Sequence, residues 1–301
     1  MTATRVLPVP ARYDLAGTLG GLAFSRYDPC ARFASGGFWW ATRTPDGPAT
    51  LHLRRDGAGL VAEAYGPGAA WALDRADAAA GLRDDLSGFS EVASAHPLVA
   101  RLARVHSGLR LPATGRVFQR LLRAVLEQKV TGTEAYRAYS AIVRHFREPA
   151  PGPLAGLLLP PDPAAIAATP YWVFHPFGVE QRRAETLRRA ASVADRLDRC
   201  ADSAEATRRL RALPGVGAWT AAEVVRTAYG DPDAVSVGDF HLPNTVAWAL
   251  AGEPRADDAR MLELLEPFRG HRGRVCVLLE AAGLAAPRFG PRMPVRSFAS
   301  Y

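Results

Sequence analysis

No run of eighteen or more apolar residues occurs in the 301-residue chain, so no segment is long enough to cross a bilayer as a helix. The first residues, Met1-Thr2-Ala3-Thr4-Arg5-Val6-Leu7-Pro8, lack the apolar stretch of a secretion signal. Both absences point to a cytoplasmic protein with no membrane partner. The three cysteines, Cys30, Cys200 and Cys276, are odd in number, far apart and form no CxxC pair. Neither a disulfide framework nor a zinc or iron–sulfur site follows from them, and no metal or other cofactor is expected. The sequence has no GxxxxGK[ST], no GxSxG and no HExxH, which removes P-loop phosphoryl transfer, nucleophile-elbow acyl transfer and zincin-type hydrolysis. Lysine is almost missing too, since Lys129 is the only one among 37 basic residues.

What is present belongs to a globular chain. Apolar residues make up 48% and charged residues 22%, enough for a real core and, at this length, for two domains. The net charge of +7 fits a polyanionic partner, because neutralising phosphates releases their counterions. The arginine excess comes with abundant Ala, Gly and Pro, so it also reads as a GC-rich coding bias.

From Tyr13 to Phe89 the pattern alternates and breaks at turns, with Gly37 to Thr44 and Ala49 to Arg54 as strands and Asp46-Gly47 and Asp56-Gly57 at hairpin positions. The expected fold class is α+β, with a small antiparallel β-sheet domain over residues 10–90 that includes a helix near Ala69 to Leu82. Ser87 to His96 reads as a linker, and Pro97 opens a mostly α-helical domain over 96–301. There Val117, Phe118, Leu121, Leu122, Val125 and Leu126 form one apolar stripe. Thr131-Gly132-Thr133-Glu134 reads as a capping box. A Pro-rich connection, Glu148 to Pro163, precedes helices near Ala164 to Ala168, Glu180 to Arg199 and Ala204 to Ala212.

The chemistry concentrates after that. In Leu213-Pro214-Gly215-Val216-Gly217-Ala218-Trp219-Thr220 a helix ends, proline forbids its continuation, two glycines allow close backbone approach, and a new helix starts at Trp219. Free N–H groups at that helix start suit one phosphate without reading sequence. About twenty residues on, Val235-Ser236-Val237-Gly238-Asp239-Phe240-His241 brings a single carboxylate to the opening of another helix.

Hairpin, spacer and aspartate together resemble the helix-hairpin-helix/Gly-Pro-Asp superfamily of DNA glycosylases, and Asp239 matches that family's catalytic aspartate. Val125 to Thr131 and Gly178 to Leu187 are similar to two further family segments. A sheet domain placed before the helices and the absence of iron–sulfur cysteines resemble the 3-methyladenine DNA glycosylase II branch. The resemblance implies a monomeric, nucleoid-associated repair enzyme acting on double-stranded DNA containing damaged bases, which flips an alkylated purine into a pocket and hydrolyses its N-glycosidic bond. Asp239 would stabilise positive charge on the sugar. Trp219 would line the base pocket where lyase-active members carry a Schiff-base lysine, so base removal without strand cleavage is expected. Gln128 and Glu223 complete the expected pocket; Glu223 stands where the relative has an aromatic, and Val277 where another pocket tryptophan would align. Gly215, Val216, Gly217, Thr220, Lys129 and His241 are the expected DNA contacts, Lys129 at the place where the family fills the gap left by the flipped nucleotide. Tyr171, Trp172, Phe174 and Phe177 are candidate replacement aromatics or core. Arg288 to Arg296, with three arginines, is a phosphate-contacting or solvated tail. A glycosylase for other damaged bases, or a catalytically silent helix-hairpin-helix protein that binds damaged DNA, stays open at this point.

Overall fold

The computed structural model describes residues 2–287, so the Arg288 to Arg296 segment lies outside the described residues. The chain begins with β1 (Thr2–Pro8) and α1 (Leu15–Gly20), then runs through β2 (Ala31–Ala34), β3 (Gly37–Thr44), β4 (Gly47–Asp56) and β5 (Gly59–Tyr65). These strands form one antiparallel sheet in the order β1-β5-β4-β3-β2. The expected hairpins are present, with Thr44 opposite Gly47 and Asp56 opposite Gly59. The sheet starts before residue 10, however, because β1 pairs along its whole length with β5.

β3 is buried on both faces, and that explains its continuous run of large apolar side chains. Phe38 and Trp40 join Leu51, Leu53, Leu60 and Ala62 in one core. On the opposite face Trp39 and Ala41 pack against Leu157 and Leu159 of the Pro-rich connection. The first core is closed by α2 (Ala69–Asp74) and α3 (Ala76–Ala79), so the expected helix over 69–82 is broken at Arg75.

Ser87 to His96 is not an unstructured linker, since it holds α4 (Phe89–Ala93), whose Phe89 and Ala93 are buried one turn apart. Helix α5 (Pro97–Val105) follows, with the His96 imidazole accepting the Leu98 N–H at 3.2 Å. Next come α6 (Val117–Leu126), α7 (Gly132–Phe146), α8 (Pro163–Ala168), a 3-10 turn at Tyr171–Phe177, α9 (Gln181–Ser192), α10 (Ala194–Asp198), α11 (Ser203–Arg211) and α12 (Ala218–Ala228). The chain then forms α13 (Leu242–Ala251), α14 (Asp258–Leu265) and α15 (Arg272–Ala281).

Helices α4 to α15 divide between two further cores. Helices α6 to α12 surround one of them, which includes Leu121, Leu126, Ile142, Phe174, Leu187 and Val224. The other joins Phe89, Val99 and Leu102 to Val246, Met261, Phe268 and Leu279, so α4 and α5 pack with α13 to α15 across most of the sequence. Arg274 on α15 fixes that union through both guanidinium nitrogens on Asp84, at 2.8 and 2.5 Å, with both side chains buried. A pair so fully removed from water depends on good geometry on each side.

Candidate active site

The stripe of α6 ends at Leu126, whose carbonyl accepts from the buried Arg183 guanidinium at 2.9 Å. A helix C-terminus leaves carbonyls without partners, and this contact satisfies one of them. The chain then reverses through Glu127 to Val130, with Lys129 in the left-handed region at φ 56° and its side chain exposed. α7 restarts immediately through the capping box. The Thr131 hydroxyl accepts from Glu134 N at 3.3 Å, and the Glu134 carboxylate accepts from Thr131 N at 2.8 Å.

That tight turn aims Gln128 at the hairpin between α11 and α12. Its amide nitrogen donates to Gly215 O at 3.0 Å and to Thr220 Oγ1 at 2.8 Å. Gln128 therefore braces the hairpin in this structure. Gly215 has φ 95°, and a Cβ there would stand 2.1 Å from Thr186 Oγ1, so both backbone conformation and space demand glycine. Val216 plugs the hairpin into the core at 6% exposure. Gly217 differs, for it has φ −93°, is exposed, and a Cβ built on it would meet nothing within 4 Å. It starts α12 without a side-chain cap, which leaves the first-turn N–H groups open to an anion.

Trp219, in the first turn of α12, is half-buried, and its indole N–H donates to Asp239 Oδ2 at 3.0 Å. Asp239 lies in the bend between α12 and α13, just after Gly238 at φ 91°. Its Oδ1 accepts the backbone N–H of His241 at 2.7 Å and of Leu242 at 2.8 Å. One carboxylate oxygen thus caps α13 while the other is turned to the tryptophan. Its neighbours Phe240 and His241 are exposed, and their rings meet edge to face at 4.9 Å. Among the described residues no group of three or more His, Cys, Asp or Glu could hold a metal ion.

Glu223, expected on a pocket wall, is drawn inward. Only 8% exposed, it takes the Arg120 guanidinium at 2.6 Å on one oxygen, and on the other Arg226 at 2.6 Å and the Ser236 hydroxyl at 2.6 Å. Burial alone would raise its pKa, but Arg226, Arg120 and the Ser236 hydrogen bond hold the carboxyl down at about 2. Arg120 also reaches Glu127 at 3.1 Å, and Glu127 takes Arg123 at 3.0 Å. Two cations and a hydroxyl saturate Glu223, which makes it an ionic node beneath the site.

The replacement aromatics part ways, because Phe174 is fully buried core while Trp172 is 62% exposed. Val277 packs against the core of α13 to α15. The sequence reading missed Ser236 and Asp258, the latter accepting Gly238 N–H at 3.0 Å. A buried serine three residues before the aspartate, and an acid in the first turn of α14, carry no local signal of pairing with distant partners.

No family model matches the chain. Among curated proteins it is 30% identical over 260 residues to the probable bifunctional transcriptional activator/DNA repair enzyme AlkA of two Mycobacterium tuberculosis strains, covering 80% of this chain and 50% of those proteins. The chain thus spans about half the length of the curated relatives it matches. Among solved structures it superposes on the 3-methyladenine DNA-glycosylase from Archaeoglobus fulgidus with a TM-score of 0.76 at 16% identity, covering 92% of this chain and 97% of that one. It also superposes on the Clostridium acetobutylicum 8-oxoguanine glycosylase/lyase, solved in complex with double-stranded DNA containing cytosine opposite 8-oxoG, with a TM-score of 0.67 at 13% identity over 94% and 98% of the two chains. The shared fold and the curated relatives support the resemblance to the helix-hairpin-helix superfamily of DNA glycosylases and to its AlkA-like branch.

Proposed function

We propose that the protein is a monofunctional DNA glycosylase that removes alkylated purines from double-stranded DNA. The observation that carries this reading is the hydrogen bond from Trp219 Nε1 to Asp239 Oδ2. It joins an aromatic face and a carboxylate immediately behind a hairpin with open N–H groups. The hairpin at Gly215, Val216, Gly217 and Thr220 holds a phosphate by backbone donors and helix dipole. Lys129 and His241, both exposed, flank the site as further DNA contacts.

The target nucleotide leaves the stack at a cost of about a few kcal/mol, less for a damaged pair. As the C1′–N bond breaks, positive charge grows on the sugar, and the fixed Asp239 carboxylate stabilises it more than the neutral ground state. Three donors hold that carboxylate, so it needs no reorganisation as the charge appears. The indole face of Trp219 attracts a cationic alkylpurine, a contact worth roughly 0.5–2 kcal/mol. Indole cannot form an imine at C1′, hence hydrolysis without strand cleavage. The 3-methyladenine DNA-glycosylase from Archaeoglobus fulgidus, on which the chain superposes, supports the alkylpurine substrate, and the 8-oxoguanine of the Clostridium enzyme is the competing one.

The test is release of free base from methylated duplex DNA by the wild type and by Asp239→Asn, with anisotropy binding to abasic-site DNA alongside. Release of 3-methyladenine or 7-methylguanine by the wild type alone, with both proteins bound to DNA, is the expected result. Borohydride should trap no covalent adduct; a trapped adduct would show lyase chemistry and end the monofunctional reading.

A further inference from the structure

We infer that Glu223 is a positioning residue for Asp239, acting through the buried hydroxyl of Ser236. The inference rests on the glycosylase reading above for its catalytic consequence, though the geometry stands without it. Trp219 and Glu223 are four residues apart and lie on one face of α12. They meet the bend before α13 at two points three residues apart, Trp219 on Asp239 at 3.0 Å and Glu223 on Ser236 at 2.6 Å. One helix face thus sets the register of the loop.

Ser236 transmits the constraint in both directions. Its hydroxyl is held by Glu223, and its carbonyl accepts the Asp239 N–H at 3.2 Å. It is only 2% exposed, so no solvent replaces the lost partner if Glu223 moves. Glu223 in turn cannot swing away, because Arg120 and Arg226 grip its two oxygens. On the far side Asp258 holds the Gly238 N–H at 3.0 Å. Between these anchors the backbone passes through the left-handed Gly238, an irregular stretch with no sheet or helix ladder to fix it. A carboxylate that works by fixed placement loses rate steeply with displacement, on the order of 100-fold for about 1 Å.

Ser236→Ala removes only the hydroxyl and leaves the ion pairs in place. It should slow single-turnover base release at least tenfold while the Kd for abasic-site DNA stays within twofold. Glu223→Gln, added to Ser236→Ala, should slow release by less than a further twofold, since both act on one contact. Ser236→Thr, which keeps the hydroxyl, should recover most of the rate. A Ser236→Ala rate within twofold of wild type, or effects of the two substitutions that multiply, would overturn the inference. The indole N–H resonance of Trp219 reports the same geometry without catalysis. It should shift in Ser236→Ala, and an unmoved resonance refutes the positioning role whatever base the enzyme takes. A wild type that releases no base while this resonance shifts refutes the glycosylase reading and leaves the positioning contact intact.

Discussion

Under the proposed phosphate clamp the two hairpin glycines separate folding from binding, and substituting each by alanine should show it. At Gly215 the φ of 95° places an L-residue in a region that costs about 1–2 kcal/mol. The new methyl would also stand 2.1 Å from Thr186 Oγ1 and 3.0 Å from its Cγ2, an overlap worth roughly 1–3 kcal/mol. Gly215→Ala should therefore lose about 2–5 kcal/mol, a fall of roughly 5–15 °C in Tm. Combining it with Thr186→Ala, which deletes the two nearest atoms and leaves Cβ at 3.1 Å, should recover most of the steric part and leave the backbone part. Gly217→Ala faces open space at an ordinary φ, so its melting point should move by no more than about 1 kcal/mol of capping preference implies. Its methyl would sit where the proposed phosphate approaches the N–H groups. Loss of one charge-assisted hydrogen bond there, about 1.5–3 kcal/mol, weakens abasic-DNA binding roughly ten- to a hundredfold. Thermal melts and fluorescence anisotropy on the same preparations read both axes. Wild-type affinity in Gly217→Ala would refute the phosphate clamp, and a wild-type melt in Gly215→Ala would refute the packing argument.

Two further outcomes follow from buried charge. Arg274→Met strands Asp84, which is 3% exposed in its side chain, and should cost about 3–5 kcal/mol of unfolding free energy in urea titrations; a loss below 1 kcal/mol would mean water reaches the aspartate. Glu223 has its pKa lowered from 4.5 to about 2, so its stabilisation is complete above pH 4.5 and fades as pH falls toward 2. Relative to Glu223→Gln, the wild type should lose roughly 3 kcal/mol across that window, and parallel pH curves for the two proteins would contradict the ionic node.

Sequence-local features were readable because local physics decides them. The capping box at Thr131 and Glu134, the turn at Gly215 and the apolar stripe of α6 each rest on neighbours within a few residues. Features set by distant partners were not. β1 escaped notice because Val6 is 69% exposed and Leu7 buried at an edge bordered by Pro8 and Pro10, so its strand identity depends on pairing with β5. α4 looked like linker although Phe89 and Ala93 share a core with Val99 and Leu102 and with residues some 150 or more positions away. α14 did leave local traces, an Asp257 cap and Met261 and Leu265 buried one turn apart, which the sequence reading passed over. At the site, the helix starts next to Trp219 and Asp239 were legible from the motif, while the hydrogen bond that joins the two residues was not. Glu223 was misplaced because its guanidinium partner Arg120 lies 103 residues away and the Ser236 hydroxyl 13.

The union of α4 and α5 with α13 to α15 carries a temporal consequence for synthesis. The sheet and the core of α6 to α12 can close while the ribosome is still at work, since their contacts lie behind the growing end. The core that abuts the Asp239 bend cannot, for Phe89 and Leu102 must wait for Val275 and Leu279. Nascent chain would present the hairpin well before the Asp239 bend is in place, so under the proposed function affinity for DNA would precede the capacity to act on it.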